Sequence, residues 1–128
     1  YLVLAPQAKD ELGFLYAWDI YRTRTKARLA VLSACNTLGA KSSGEGILGL
    51  SWAFLVAGCP STIATRWDLD DAAARLWVDA FYKSYAKGTP TADSAREACL
   101  KLIRTRGQKL DRSSPAFWAA WALVGDNR

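Results

Sequence analysis

A chain of 128 residues, 51% hydrophobic and 23% charged, is long enough to bury one core and too ordinary in composition to be fibrous or disordered. No apolar run approaches the ~18 residues of a membrane span, no signal peptide opens the chain, and three cysteines without a C-x-x-C pair do not make a disulfide scaffold. The lack of histidine removes the commonest general base and metal ligand from these residues, and a net charge of +5 raises the question of acidic or nucleic-acid partners.

These bounds predict a single globular domain in a reducing, cytoplasmic setting with no membrane contact, and no cofactor is expected. The chain opens on Tyr1 and contains no methionine, so it is expected to be a piece of a longer protein.

Residues 1–4 are apolar, end near Pro6, and predict a strand. Leu12, Leu15, Tyr16, Asp19 and Ile20 follow helical spacing and predict a short helix near 14–21. Arg22, Arg24, Lys26 and Arg28 alternate before the next strand, and Lys101, Arg104, Arg106, Lys109 and Arg112 cluster later. No nucleic-acid motif accompanies either stretch, so solvated surface is the preferred reading of both and nucleic acid the less expected one, with a basic nucleic-acid binder kept as the weaker alternative.

Residues 29–34, Leu-Ala-Val-Leu-Ser-Ala, are mostly apolar and predict a strand buried on both faces of a parallel sheet. The run stops at Cys35, where strand gives way to loop. Ligand sites in open α/β sheets lie beyond the carboxyl ends of such strands. A free cysteine there is either a reactive thiol or a small buried hydrophobe.

Ser42-Ser43-Gly44-Glu45 fits a capping box and predicts a helix over 44–57, apolar almost all round and stopped by Gly58 and Pro60. Gly44-Glu45-Gly46-Ile47-Leu48-Gly49 matches G-x-G-x-x-G. However, eight residues separate Cys35 from Gly44, whereas a dinucleotide loop turns immediately after its strand. Close helix–sheet packing is the better account of these glycines. Thr62, Ile63 and Thr65 mark a strand over 61–66. The resulting strand–helix–strand unit predicts parallel neighbours, with Cys35 and the Arg66-Trp67-Asp68 turn emerging at one edge.

Asp68 or Asp70 is expected to cap the next helix, whose apolar stripe is Ala73, Leu76, Trp77, Ala80, Phe81 and Ser84, with Gly88 at its end. Thr89-Pro90 reads as N-cap and first helical residue of another helix. Its inner face is expected to comprise Ala92, Ala95, Cys99, Leu102 and Ile103, which makes Cys99 a core residue. Cys59, beside Pro60, shows no partner. Residues 116–124 are aromatic and apolar and predict a last strand.

Four segments taken together resemble the CHAT family of caspase-like cysteine peptidase domains, often joined to tetratricopeptide repeats. They are Ser33-Ala34-Cys35-Asn36-Thr37, Gly44-Glu45-Gly46-Ile47-Leu48-Gly49-Leu50, Arg66-Trp67-Asp68-Leu69-Asp70-Asp71, and Phe117-Trp118-Ala119-Ala120-Trp121-Ala122-Leu123-Val124-Gly125-Asp126. Members often carry Thr-Gly after the Cys-Asn pair, whereas Leu38 here precedes Gly39. The family's His-Gly, at the end of an earlier strand, falls before the equivalent of Tyr1.

The resemblance implies a caspase-like three-layer α/β/α fold with a mostly parallel sheet, truncated on its N-terminal side. It implies that Cys35 is the nucleophile of a Cys–His dyad whose histidine lies on an upstream segment, and that the Cys35 backbone N–H helps hold the oxyanion. Ser33 and the Arg66-Trp67-Asp68 turn, with Asp70, would line the pocket for the substrate side chain before the cut. Arg66 would favour an acidic side chain there, and Asp68 or Asp70 a basic one. Implied partners are a protein or peptide substrate, the histidine-bearing segment and tetratricopeptide repeats. An open sheet edge adds self-association. The alternative on the same fold is an inactive interaction module.

Overall fold

The computed structural model describes residues 2–5, 13–32, 45–105 and 112–126. Ser33, Cys35, the proposed capping box at 42–44, and Arg106 and Lys109 lie outside the described residues.

Strand β1 (Leu2–Val3) pairs antiparallel with β2 (Phe14–Leu15), so the helix expected near 14–21 yields its first residues to a strand. Helix α1 (Ala17–Tyr21) starts only after Tyr16, whose backbone N–H donates to the Asp19 carboxylate at 2.9 Å. That bond uses one of the N–H groups left free at a helix start.

A three-stranded sheet follows, in the order β3–β4–β5. Strand β3 (Ala30–Leu32) runs parallel to β4 (Ser61–Thr65), with Val31 opposite Ile63. Strand β5 (Trp121–Gly125) runs antiparallel to β4, from Ser61 opposite Gly125 to Thr65 opposite Trp121. The strand buried on both faces is β4, all five of whose residues are buried, whereas β3 is half-buried. Among the described residues, β4 has a neighbour on each side and β3 has one.

Helix α2 (Glu45–Val56) connects the parallel pair. It ends as its sequence predicts. Gly58 takes φ +98°, its N–H donates to Leu55 O at 3.1 Å, and the Cys59 N–H donates to Phe54 O at 2.9 Å. This double closure uses carbonyls that the last turn leaves free, and the left-handed residue suits glycine. Gly46 and Gly49 lie within α2, away from any strand-to-helix turn of the dinucleotide type. The expected close packing does not hold at Gly49, where an added Cβ would meet nothing within 4 Å among the described residues.

Helices α3 (Asp71–Tyr85) and α4 (Thr91–Arg104) form a packed pair. Asp70 is the cap of α3: its carboxylate accepts from the Ala73 N–H at 3.0 Å. The expected Thr89 cap of α4 moves by one residue, to Pro90, and makes no side-chain cap bond. The buried seam of α4 is also rotated from the expected face. Thr91, Ser94, Ala98 and Leu102 are buried, and Cys99 is half-buried beside them. Small hydroxyl residues can occupy such a seam when bonded locally, and the Ser94 hydroxyl donates to Thr89 O at 3.2 Å.

Two hydrophobic clusters flank the sheet residues. The larger gathers Ile63, Trp77, Phe81, Ala98, Leu102 and Trp121. The smaller gathers Ile20, Leu50, Ala53 and Ala57. Val31 packs on the first and the adjacent Leu32 on the second, the alternation a strand imposes.

The predicted last strand begins late. Residues 116–118 belong to a short helix α5 (Pro115–Trp118), capped by the Ser114 hydroxyl, which accepts from the Ala116 N–H at 3.4 Å. Ser114-Pro115 is a helix-start pair, with proline in the first turn where its missing N–H costs little. The apolar content of 116–124 hid that signal. Cys59 is not partnerless: fully buried, its thiol donates to Ser61 O at 3.2 Å.

Candidate functional site

Because β3 and β4 are parallel, the chain leaves both strands at one edge of the sheet. Leu32 stands opposite Ala64, and β4 runs on through Thr65 to Arg66. Four predicted site residues, Arg66, Trp67, Asp68 and Asp70, stand in the segment that follows. Cys35 and Ser33 belong to the segment after Leu32, outside the described residues.

The turn is held at several points. The Arg66 backbone N–H donates to Ala120 O at 2.8 Å, one step beyond the Thr65–Trp121 pair. The Arg66 guanidinium donates through Nη2 to Ala119 O at 2.9 Å. The Trp67 indole N–H donates to Ala116 O at 2.8 Å. On the far side, Leu69 is buried in the larger cluster and Asp70 caps α3. The exposed turn is thus fixed by backbone acceptors of α5 and the residues just after it. These acceptors have no side-chain signature, which is why sequence reasoning on side-chain types missed α5 as the element that positions the turn.

Within the turn, the Arg66 guanidinium carbon lies 5.5 Å from the Trp67 ring centre, in cation–π range. Trp67 is still 42% exposed, so part of its ring faces solvent. Asp68 is exposed. Asp70 lies 3.9 Å from Arg112, a contact that is part-exposed and therefore worth little. The wall carries both charge signs, but three of its side chains, Arg66, Trp67 and Asp70, also serve the fold.

Cys99 shows what a thiol in the packed interior looks like. It accepts from the Trp77 indole N–H at 3.3 Å and donates to Trp118 O at 3.4 Å. Burial raises its pKa, and the Trp77 bond offsets only part of that rise. Such a thiol is a poor nucleophile at neutral pH. Among the described residues, no group of three or more His, Cys, Asp or Glu could hold a metal ion. No helix among them is long and apolar enough to cross a membrane.

Comparison with known proteins agrees with the motif series. The chain is 30% identical over 113 residues to Tetratricopeptide repeat protein 28 of Mus musculus. It is 27% identical over the same length to the protein of that name from Homo sapiens. In each case the match covers 88% of this chain and 4% of the relative, so the chain spans a small part of the curated relatives it matches. No solved structure matches the chain. The CHAT domain family matches residues 1–126, and the chain belongs to that family.

Proposed function

We propose that this chain is the cysteine-bearing part of a CHAT-type cysteine endopeptidase, a hydrolase acting on peptide bonds of a protein or peptide substrate. Cys35 is its nucleophile and a histidine on an upstream segment is the base. The observation that carries this reading is the parallel β3–β4 pair. It brings the carboxyl end of β3, three residues before Cys35 in the sequence, and the carboxyl end of β4, which leads into Arg66, to one edge of a CHAT-family sheet. The sheet would be the C-terminal portion of a caspase-like three-layer domain, with residues 1–128 forming one partial domain.

The chemistry follows from the residue types. A thiolate attacks the substrate carbonyl, and the base takes the thiol proton and returns it to the leaving amine. The Cys35 backbone N–H would steady the developing oxyanion. Ser33 and the Arg66-Trp67-Asp68 turn, with Asp70, would flank the substrate side chain before the cut. Peptides with Arg, Lys, Asp or Glu at that position would show which charge of the wall governs selection. Tetratricopeptide repeats, present by name in the relatives, would present the substrate, in a cytoplasmic setting that keeps the thiols reduced.

The test uses the complete protein with its histidine-bearing segment. Cys35→Ala abolishes cleavage of a protein partner or peptide if the reading holds, and retained cleavage rejects it. The 128-residue chain alone, which has no histidine, is expected to show no turnover.

A second reading is an inactive interaction module on the same fold. It is favoured by the structural use of the Arg66 and Trp67 donors on Ala119 and Ala116. Thiol labelling separates the two: in the complete protein at neutral pH, a Cys35 no more reactive than a free peptide thiol supports the module.

A further inference from the structure

The edge of the sheet opposite the candidate site carries a different kind of surface. The loop between α1 and β3 presents Arg22, Arg24, Lys26 and Arg28, all exposed, with no acidic residue from 22 to 28. No described carboxylate lies within salt-bridge distance of these four cations; the ion pair among the described residues is the Arg112–Asp70 contact. The loop is pinned in place, since the Thr25 N–H donates to Ala57 O, at the end of α2, at 2.9 Å. Immediately before it on α1, Trp18 is 62% and Tyr21 42% exposed. Three residues apart on a helix, they share a side. At the far end of the loop, Arg28 lines a cleft with Tyr85, Gly88, Thr89, Pro90 and Asp93, at the α3–α4 turn.

We propose that this edge binds a single-stranded nucleic acid, with phosphates on the Arg22–Arg28 cations and bases stacked on Trp18 and Tyr21. Exposed rings next to unpaired cations are what strand binders use, since every base offers a π-face and every nucleotide a charge. Three of the four cations are arginine, whose planar fork suits phosphate oxygens. An acidic peptide would use the cations and leave the rings idle. A lipid surface is flat, whereas Arg28 sits in a cleft. Asp93, on the cleft wall, opposes the bound charge. This inference does not depend on the chemistry of Cys35.

Fluorescence anisotropy with a labelled oligo(U) strand of about 12 nucleotides, a length within known site sizes, tests the proposal on the 128-residue protein. Binding is expected to weaken steeply between about 50 and 200 mM salt. Replacing Arg22, Arg24, Lys26 and Arg28 together by alanine should weaken it at least roughly tenfold and reduce the salt slope by about 2–3. Trp18→Ala alone should cost roughly tenfold through lost stacking. Asp93→Asn should tighten binding, and Arg104→Ala, on the exposed end of α4, should change it little. These positions are exposed, and circular dichroism will show that each variant is folded. The proposal is overturned if the wild-type chain does not bind the strand at about 50 mM salt, where phosphate contacts are least screened. It is equally overturned if Trp18→Ala binds as well as wild type while a poly-glutamate peptide competes as well as RNA. Tighter binding to phosphatidylserine vesicles than to the strand also overturns it.

Discussion

The two hydrophobic clusters hold the molecule together in different ways. The larger rests on a column of rings. Trp121 stacks on Trp77 at 3.9 Å between centres, Trp77 on Phe81 at 5.2 Å, and Phe81 on Tyr85 at 5.5 Å. Trp77 and Phe81 are fully buried. Among the described residues, the smaller buries Ile20, Leu50, Ala53 and Ala57, with Leu2, Leu15, Leu32 and Phe54 partly buried against them, and the helices that form it also expose Trp18, Trp52 and Val56. Among the described residues, one region closes on a column of stacked rings, while the other closes mostly with aliphatic side chains and leaves apolar side chains in solvent. Rings bury far more area per residue, so stability should be concentrated around Trp77.

The strongest way to break this contrast is Trp77→Ala, expected to cost about 4 kcal/mol in urea unfolding. Leu50→Ala, in the smaller cluster, should cost about 2–3 kcal/mol. Equal losses would show that the clusters share the load evenly. Next comes Gly125→Ala. Gly125 has φ +105°, and a Cβ there would fall 2.2 Å from Pro60 O and 2.9 Å from Leu55 Cδ2. Backbone strain and overpacking together predict a loss of about 3 kcal/mol. A loss below about 1 kcal/mol would mean that this end of β5 can shift away from Pro60.

Smaller again is Asp70→Ala, which removes the α3 cap and should cost about 1 kcal/mol; Asp70→Asn, also a good cap, should recover most of it. The smallest effect concerns Cys99. Its folded pKa lies above the unfolded value, so its contribution is complete at neutral pH and fades as the pH climbs past the ordinary thiol value of 9.0. Unfolding at rising pH should therefore show a wild-type decline that Cys99→Ala lacks. Near neutrality, Cys99 should also alkylate more slowly than a peptide thiol.

What could be read in advance follows from how each signal is encoded. Helix α3 was legible because Trp77, Phe81 and Ser84 mark one face and Asp70 its start. The parallel pair was legible because 29–34 is a short apolar run, Thr62, Ile63 and Thr65 mark the next strand, and a helix stopped by Gly58 and Pro60 joins them. The placement of α5 was not, since the aromatic run from Phe117 to Trp121 suits helix and strand alike and only Ser114-Pro115 decides. The seam of α4 was misjudged by one residue because Thr91 and Ser94 are polar by type yet bonded or buried in place. In the candidate site, the sequence pointed to Arg66 and Trp67. Their acceptors are main-chain carbonyls of alanines, which no side-chain pattern advertises.

The hold of α5 on that turn also orders events in time. Trp67 and its acceptor are 49 positions apart, and Arg66 and its acceptor 53. During translation the ribosome thus releases the turn well before the carbonyls that fix it. A nascent chain lacks this bracing until residues 116 to 119 have emerged. A stop codon between the turn and position 116, or a cut that removes the residues from 116 on, would leave the turn unbraced, however intact the preceding strands.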